Sequence, residues 1–248
     1  MPQTMRVLVF ASQKGGSGKT TLAGHVGVMA QLAGAGPVAL VDTDPQGSLA
    51  KWWNCRAAVE PAFIHSTFSN LVHDLDAARA QGFRLVVIDT PPAVTKAISE
   101  VVSFADLVVL PTRPSPHDLR AVGPTIDIVE ARKKQMVFVL NAAAARAKIT
   151  SEAAVALSQH GTVAPVTIHS RTDFAASMID GRTVMEADPE GKSAEEVTQL
   201  WSYLAGRLAK FDGLEDREPA LAGFAPPPPR NVNALGREVP VFGRRAVL

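Results

Sequence analysis

Residues Gln13 to Thr21 read Gln-Lys-Gly-Gly-Ser-Gly-Lys-Thr-Thr, a run suited to holding a compact polyanion. Backbone N–H groups approach phosphate closely only where no Cβ intervenes, and Gly15, Gly16 and Gly18, with Ser17 between them, give that freedom. Lys19 can reach the β- and γ-phosphates of a nucleoside triphosphate, and the Thr20 hydroxyl can ligate Mg²⁺. Thr21 opens a helix-like segment whose N-terminal dipole favours anions. The simplest phosphate loop has glycine at the position of Gln13, and a second cation, Lys14, follows it at the front of the loop.

Two acidic motifs follow in order. The apolar run Val38–Val41 ends in Asp42-Thr43-Asp44-Pro45-Gln46-Gly47-Ser48. Carboxylates two residues apart share a direction on an extended chain, so they can orient a water molecule or hold the water shell of a metal. A turn or helix cap built from Asp and Pro is the competing reading. Leu85–Ile88 then ends in Asp89-Thr90-Pro91-Pro92, the Walker B pattern that sets a carboxylate near Mg²⁺. Pro91 and Pro92 stiffen a segment suited to reporting whether the γ-phosphate is present.

The elements that must position these groups alternate. Val7–Ala11, Val38–Val41, Leu85–Ile88, Leu107–Leu110, Met136–Leu140 and Pro165–Ile168 read as short buried strands. Thr21–Leu32, Ser69–Gln81, Thr95–Ser103, Asp118–Arg132 and Ser151–Gln159 read as helices. Ser193–Lys210 reads as a final amphipathic helix with Val197, Leu200, Trp201, Leu204 and Leu208 on one stripe. Such alternation predicts an α/β fold, three layers deep, with a mainly parallel sheet and ligands beyond the carboxyl ends of its strands. The expected domain spans residues 1–211, and 212–248, with the proline run Pro226–Pro229, reads as a flexible tail.

The front lysine, the Asp-x-Asp-Pro-Gln segment and the Asp89 motif together resemble the ParA/MinD family of deviant Walker A ATPases. The resemblance spans about Arg6 to Lys210 and is specific in its first three motifs. It implies that Lys14 crosses a dimer interface to the phosphates held by the other subunit, while Lys19 serves its own. It implies that Asp44 positions the attacking water, with Asp42 in the outer shell of the metal and Asp89 near it. Lys14, Lys19 and Asp44 are then the catalytic set, and ATP and Mg²⁺ the cofactors. Asn141, which closes Met136–Leu140, matches a family position that contacts adenine. Ala142–Ala145 follow where the family often has a large residue, and Asn141 can equally be a plain strand end. Arg171-Thr172-Asp173-Phe174 and Gly181-Arg182-Thr183-Val184 resemble the segment after the family's last core strand.

The compact ParA branch implies a homodimer that binds DNA nonspecifically and positions a plasmid, chromosome or protein cargo. Its hydrolysis is stimulated by a ParB-like or cargo-adaptor partner. Candidate phosphate contacts are Arg146, Lys148, Arg171, Arg182, Lys192, Arg207 and Lys210. A net charge of +1 gives no global basic field, so DNA binding needs a local or dimer-spanning patch. The alternative is a MinD-like membrane switch; Pro240 and Gly243 interrupt the terminal apolar stretch that it would need. Cys55, the single cysteine, excludes an intrachain disulfide and a cysteine-rich metal site. It suits a reducing compartment, the cytoplasm, and reads as a small packing residue; the resemblance implies association with the nucleoid. Trp52 and Trp53 read as either buried packing or part of an activator surface.

Overall fold

Strands that are apolar at every position must be covered on both faces. The computed structural model describes residues 4–93 and 95–212 and puts seven strands into one sheet. They are β1 (Arg6–Phe10), β2 (Val38–Asp42), β3 (Ala62–Ile64), β4 (Leu85–Asp89), β5 (Leu107–Thr112), β6 (Gln135–Leu140) and β7 (Thr162–Val163). The spatial order is β3-β2-β4-β1-β5-β6-β7, and every pairing is parallel. The expected fold class is therefore the one observed. The expected tail and the terminal apolar stretch lie outside the described residues.

Alternate residues of each strand feed two separate cores. Leu8, Phe10, Leu40, Val87 and Val109 face one layer, made of α1 (Lys19–Leu32), α2 (Ser48–Cys55), α8 (Thr172–Met178), α9 (Val184–Ala187) and α10 (Lys192–Ala209). Val7, Val9, Val86, Ile88 and Val108 face the other, made of α3 (Leu71–Ala80), α4 (Lys96–Ser103), α6 (Gly123–Ala131) and α7 (Lys148–Ser158). The short α5 (Pro116–Ala121) precedes α6. The stripe on α10 is buried at all five expected positions.

Several expectations need correcting. The helix expected over Asp118–Arg132 is two helices, because Pro124 has no N–H to donate back along the chain and its ring crowds the preceding turn. Pro165–Ile168 is not a strand. Ala164 donates to the Phe138 carbonyl, Pro165 follows, and the next donation, to Leu140, comes only from Ile168. Four residues therefore face two, and the missing proline N–H explains the bulge. Strand β5 continues two residues past its expected end: it pairs with β1 only as far as Val109 but with β6 as far as Thr112. Cys55 is exposed rather than packed. Trp52 and Trp53 are both buried, and their indole N–H groups donate to the Arg182 and Pro61 carbonyls, so neither forms a surface. Strand β3 and helices α2, α8 and α9, of three to eight residues each, were not expected from the sequence.

One buried polar residue ties the layer over the loop together. His25 on α1 has no exposed surface; its Nδ1 lies 2.8 Å from the Thr21 carbonyl, and its Nε2 accepts from the Val184 N–H at 3.2 Å. The imidazole is therefore neutral with its proton on Nδ1. Burial, reinforced by the Arg56 charge and opposed by the Thr21 carbonyl and Glu186, lowers its pKa from 6.5 to about 4. The unfolded chain takes up this proton near 6.5 and the folded chain only near 4. Stability present above pH 6.5 is thus lost as the pH falls towards 4, by roughly 3 kcal/mol. Urea unfolding across that range should show this loss, and His25→Gln should flatten it; parallel curves for the two proteins would remove His25 as its source.

Candidate nucleotide-binding site

The loop grows from the carboxyl end of β1, between β4 and β5. Gly18 takes φ +96° immediately before α1, a left-handed conformation that glycine adopts without strain. A Cβ there would also collide with the Asn141 side-chain amide. The first turn of α1 contains no acidic side chain, and none caps it, so its N–H groups remain suited to an anion. The loop is pinned from outside. Asn141, buried at the end of β6, donates from Nδ2 to the Ser17 carbonyl at 2.7 Å, and Thr125 Oγ1 accepts from the Gln13 N–H at 3.1 Å.

The two lysines occupy different places. Lys19 is only 6 % exposed and its Nζ lies 3.4 Å from the Lys14 carbonyl. Burial lowers its pKa, against the pull of Asp89 and Asp44. Lys14 instead reaches out of the loop to Asp118 on α5, with Nζ 2.9 Å from Oδ2. Asp118 is buried while the Lys14 side chain is 37 % exposed. Burial alone would raise the Asp118 pKa, but hydrogen bonds from Lys14 and Ser115 and the charges of Lys14 and Arg113 outweigh it and lower the value. Ser115 also caps α5 by accepting from the Asp118 N–H.

The acidic groups converge at the carboxyl edge of the sheet. Asp42 and Asp89 are register partners on adjacent strands. Asp89 has no exposed surface; its Oδ2 accepts from the Thr20 hydroxyl at 2.6 Å, while its Oδ1 is buried without a partner. Burial lifts its pKa to about 7, with Asp42 and Asp44 adding to the rise and Thr20 and Lys19 opposing it. An orphaned carboxylate oxygen beside a threonine hydroxyl fits Mg²⁺, which takes one or two carboxylates and completes its shell with water and phosphate oxygens. Among the described residues no group of three or more His, Cys, Asp or Glu is arranged to hold a metal unaided. Asp42 commits Oδ1 to the Asp44 N–H and Oδ2 to the Ala50 N–H, which fixes the Asp44 loop and the start of α2. Asp44 accepts from the Gln46 N–H with Oδ1 and is half-buried.

A cleft of about 530 Å³ runs from Gly16, Gly18, Lys19 and Thr20 to Phe174 and Met178 on α8. His169 and Arg171 line it as well, and both are held by Glu196 on α10. That carboxylate accepts from the His169 N–H at 3.0 Å, lies 2.7 Å from His169 Nδ1, and takes both Arg171 terminal nitrogens at 2.7 Å. One end of the cleft thus suits phosphates and the other, apolar and rimmed by an imidazole, suits a base.

Lys19, Thr20, Asp89 and Asp42 lie together at the carboxyl edge of the sheet, and Asn141 lies beneath the loop with its amide nitrogen committed to Ser17. The basic candidates do not form one cluster. Arg171 is held on Glu196 and Arg207 on Thr162, Tyr203 and Gln135. Arg146, Lys148, Arg182, Lys192 and Lys210 are exposed or half-exposed; Lys148 is paired with Glu152 and Arg182 with Asp180. Sequence reading missed Asp118, His169 and Glu196. Asp118 had a signal, because Ser115-Pro116-His117-Asp118 is a helix-start motif just past a strand beside β1. Glu196 had none, since its role exists only in three dimensions.

A glycine loop opening a helix at the centre of a parallel sheet defines a P-loop nucleotide-binding protein. The family model described as CobQ/CobB/MinD/ParA nucleotide binding domain matches residues 8–184. The chain belongs to this family, as a ParA/MinD-type P-loop ATPase. The chain is 30% identical over 204 residues to Maintenance of carboxysome distribution protein A of Halothiobacillus neapolitanus, covering 78% of this chain and 93% of that one. It is 35% identical over 133 residues to Protein ParA of Rhizobium radiobacter, covering 50% and 56%. Among solved structures, an ATP complex of a Cyanothece McdA variant superposes with a TM-score of 0.65 at 16% identity, covering 87% and 99%. Pyrococcus horikoshii MinD with Mg-ADP gives 0.65 at 16%, covering 86% and 99%. Both likenesses concern the fold.

The Gly18 geometry is directly testable. Gly18→Ala meets a left-handed backbone and the Asn141 amide together, a strain on the order of 1–3 kcal/mol, so ATP affinity should fall about tenfold or more. Calorimetric titration of a variant with an unchanged circular-dichroism spectrum reads this; wild-type affinity would mean that the loop can relax.

Proposed function

We propose that the chain is an ATP-driven dimerisation switch that positions a large cargo over DNA, with hydrolysis stimulated by a partner protein. The carrying observation is the place of Lys14: a cation at the mouth of the loop, held on Asp118 and not among the loop's own N–H groups. A cation kept at the mouth on an exchangeable carboxylate is suited to a phosphate presented by a second copy. A buried phosphate without such a partner is costly, and this links dimerisation to the γ-phosphate. The names of the relatives, concerned with carboxysome distribution and with ParA, support positioning as the task.

Thr20 and Asp89, with Asp42 acting through water, would hold Mg²⁺, whose charge neutralises β- and γ-phosphate oxygens. Lys19 would give up its backbone partner for phosphate. Asp44, braced by Gln46 at one oxygen, would orient the attacking water with the other. Phosphoryl transfer then needs positioning and charge, and no covalent nucleophile. DNA contact would fall to the cations Arg146, Lys148, Arg182, Lys192 and Lys210, assembled by the dimer. Such a protein would work in the cytoplasm on the nucleoid; among the described residues no helix is long and apolar enough to cross a membrane.

Light scattering with Mg²⁺ and a non-hydrolysable ATP should give a dimer for the wild-type chain and a monomer for Lys14→Ala. Asp118→Asn, which loosens the intramolecular pair, should dimerise at least as readily. An unchanged ATP-dependent dimer in Lys14→Ala would sink the crossing role. DNA binding in the ATP state should weaken steeply with salt, and Lys148→Ala with Lys192→Ala should reduce that slope by about two per protomer. Absence of binding at low salt would remove DNA from the proposal.

A further inference from the structure

Arg113 is the charged residue in the cleft wall that no motif accounts for. It follows the last residue of β5, lies in the wall with Gly16, Gly18, Lys19 and Thr20, and is exposed. Its guanidinium makes no hydrogen bond and no ion pair among the described residues. Asp118 is near enough to feel its charge, but one Asp118 oxygen is taken by Lys14 and Ser115 and the other is buried without a partner. The backbone beneath Arg113 is fixed on both sides. Asn141 donates its N–H to the Thr112 carbonyl at 3.0 Å, the Ser115 N–H reaches the Arg113 carbonyl at 2.8 Å, and Pro114 restricts the residue before it. A cation with a rigid root and an uncommitted head therefore stands over the loop.

The loop leaves it room. A Cβ on Gly16 would lie 3.7 Å from Arg113 Nη2, an ordinary contact distance, so the guanidinium stands directly beside the loop. Lys19 Nζ reaches back to the Lys14 carbonyl, which marks this front end as the place where the terminal phosphates belong. We infer that Arg113 is a third phosphate-binding cation, acting within its own chain on the terminal phosphate of a nucleoside triphosphate. A planar fork suits this work better than an ammonium, because it offers two parallel N–H donors to one phosphate. Arg113 thereby discriminates triphosphate from diphosphate, which Lys19 alone does not.

This inference rests on the nucleotide reading of the site, and the experiment separates the two. Calorimetric titrations with Mg²⁺–AMP-PNP and Mg²⁺–ADP compare the wild-type chain, Arg113→Ala, Arg113→Lys and Lys19→Ala. Arg113→Ala should weaken AMP-PNP about tenfold and change ADP by no more than about twofold, with Arg113→Lys in between. The same loss in a Lys14→Ala background places the contact within one chain. Equal effects on both nucleotides, or none, while Lys19→Ala loses both, overturn the role of Arg113 and leave the site standing. A loss that disappears without Lys14 overturns the intramolecular contact. A wild-type chain that binds neither nucleotide overturns both readings.

Discussion

Lys19 keeps an ammonium group almost out of water with only a backbone carbonyl and two distant carboxylates for company. Burying a charge is tolerable when compensating groups surround it, and here they are gathered from four strands. Strand β1 leads into the loop, β4 brings Asp89, β2 brings Asp44 behind Asp42, and β6 brings Asn141 to hold the loop's backbone. The parallel sheet is what delivers four carboxyl ends to one place, and its two apolar cores fix their register. Asp89 shows the complementary condition: a carboxyl pushed up to about 7 mainly by burial, with one oxygen unpartnered. On the proposed function, phosphate and a divalent cation would balance both groups together.

Asp118 links this chemistry to the rest of the chain. It sits in the short helix after β5, bonds Lys14, and holds its own charge because those bonds overcome its burial. The loop's second cation is thus kept at a fixed place instead of collapsing onto the glycines. Lys14, Lys19 and Arg113 surround the loop with positive charge; Asp118 neutralises part of it at Lys14, while Asp89 and Asp44 act on Lys19. An empty site can therefore exist without the loop refolding around its own cations.

The legible parts of the sequence were those with local causes. Glycine spacing, apolar runs ending in Asp, and the period of α10 each depend on neighbours in sequence, and each is where it was expected. Some short elements, of three to eight residues, were missed: β3, α2, α8 and α9. Misplaced boundaries trace to proline, at Pro124 inside an expected helix and at Pro165 inside an expected strand. The fate of Lys14 could not be read from its own motif, since its partner lies 104 residues away. Likewise Glu196 collects His169 and Arg171 only after the chain has crossed the sheet. Asn141 is read from its motif as a base contact, and its Nδ2 bond to the loop could not be read there, because adjacency of strand ends is a property of the sheet.

The unequal pairing of β5 has a consequence of its own. Beyond Val109 the strand is laced to β6 alone, and its other margin is free of β1. Thr112, Arg113 and the turn into α5 therefore hang like a cantilever above the phosphate loop. The overhang is held at its root by Asn141 and at the turn by Ser115, and it carries at its tip both the carboxylate that restrains Lys14 and the Arg113 guanidinium. The margin that the strand leaves unpaired is thus the side on which Arg113 enters the cleft wall beside the phosphate loop.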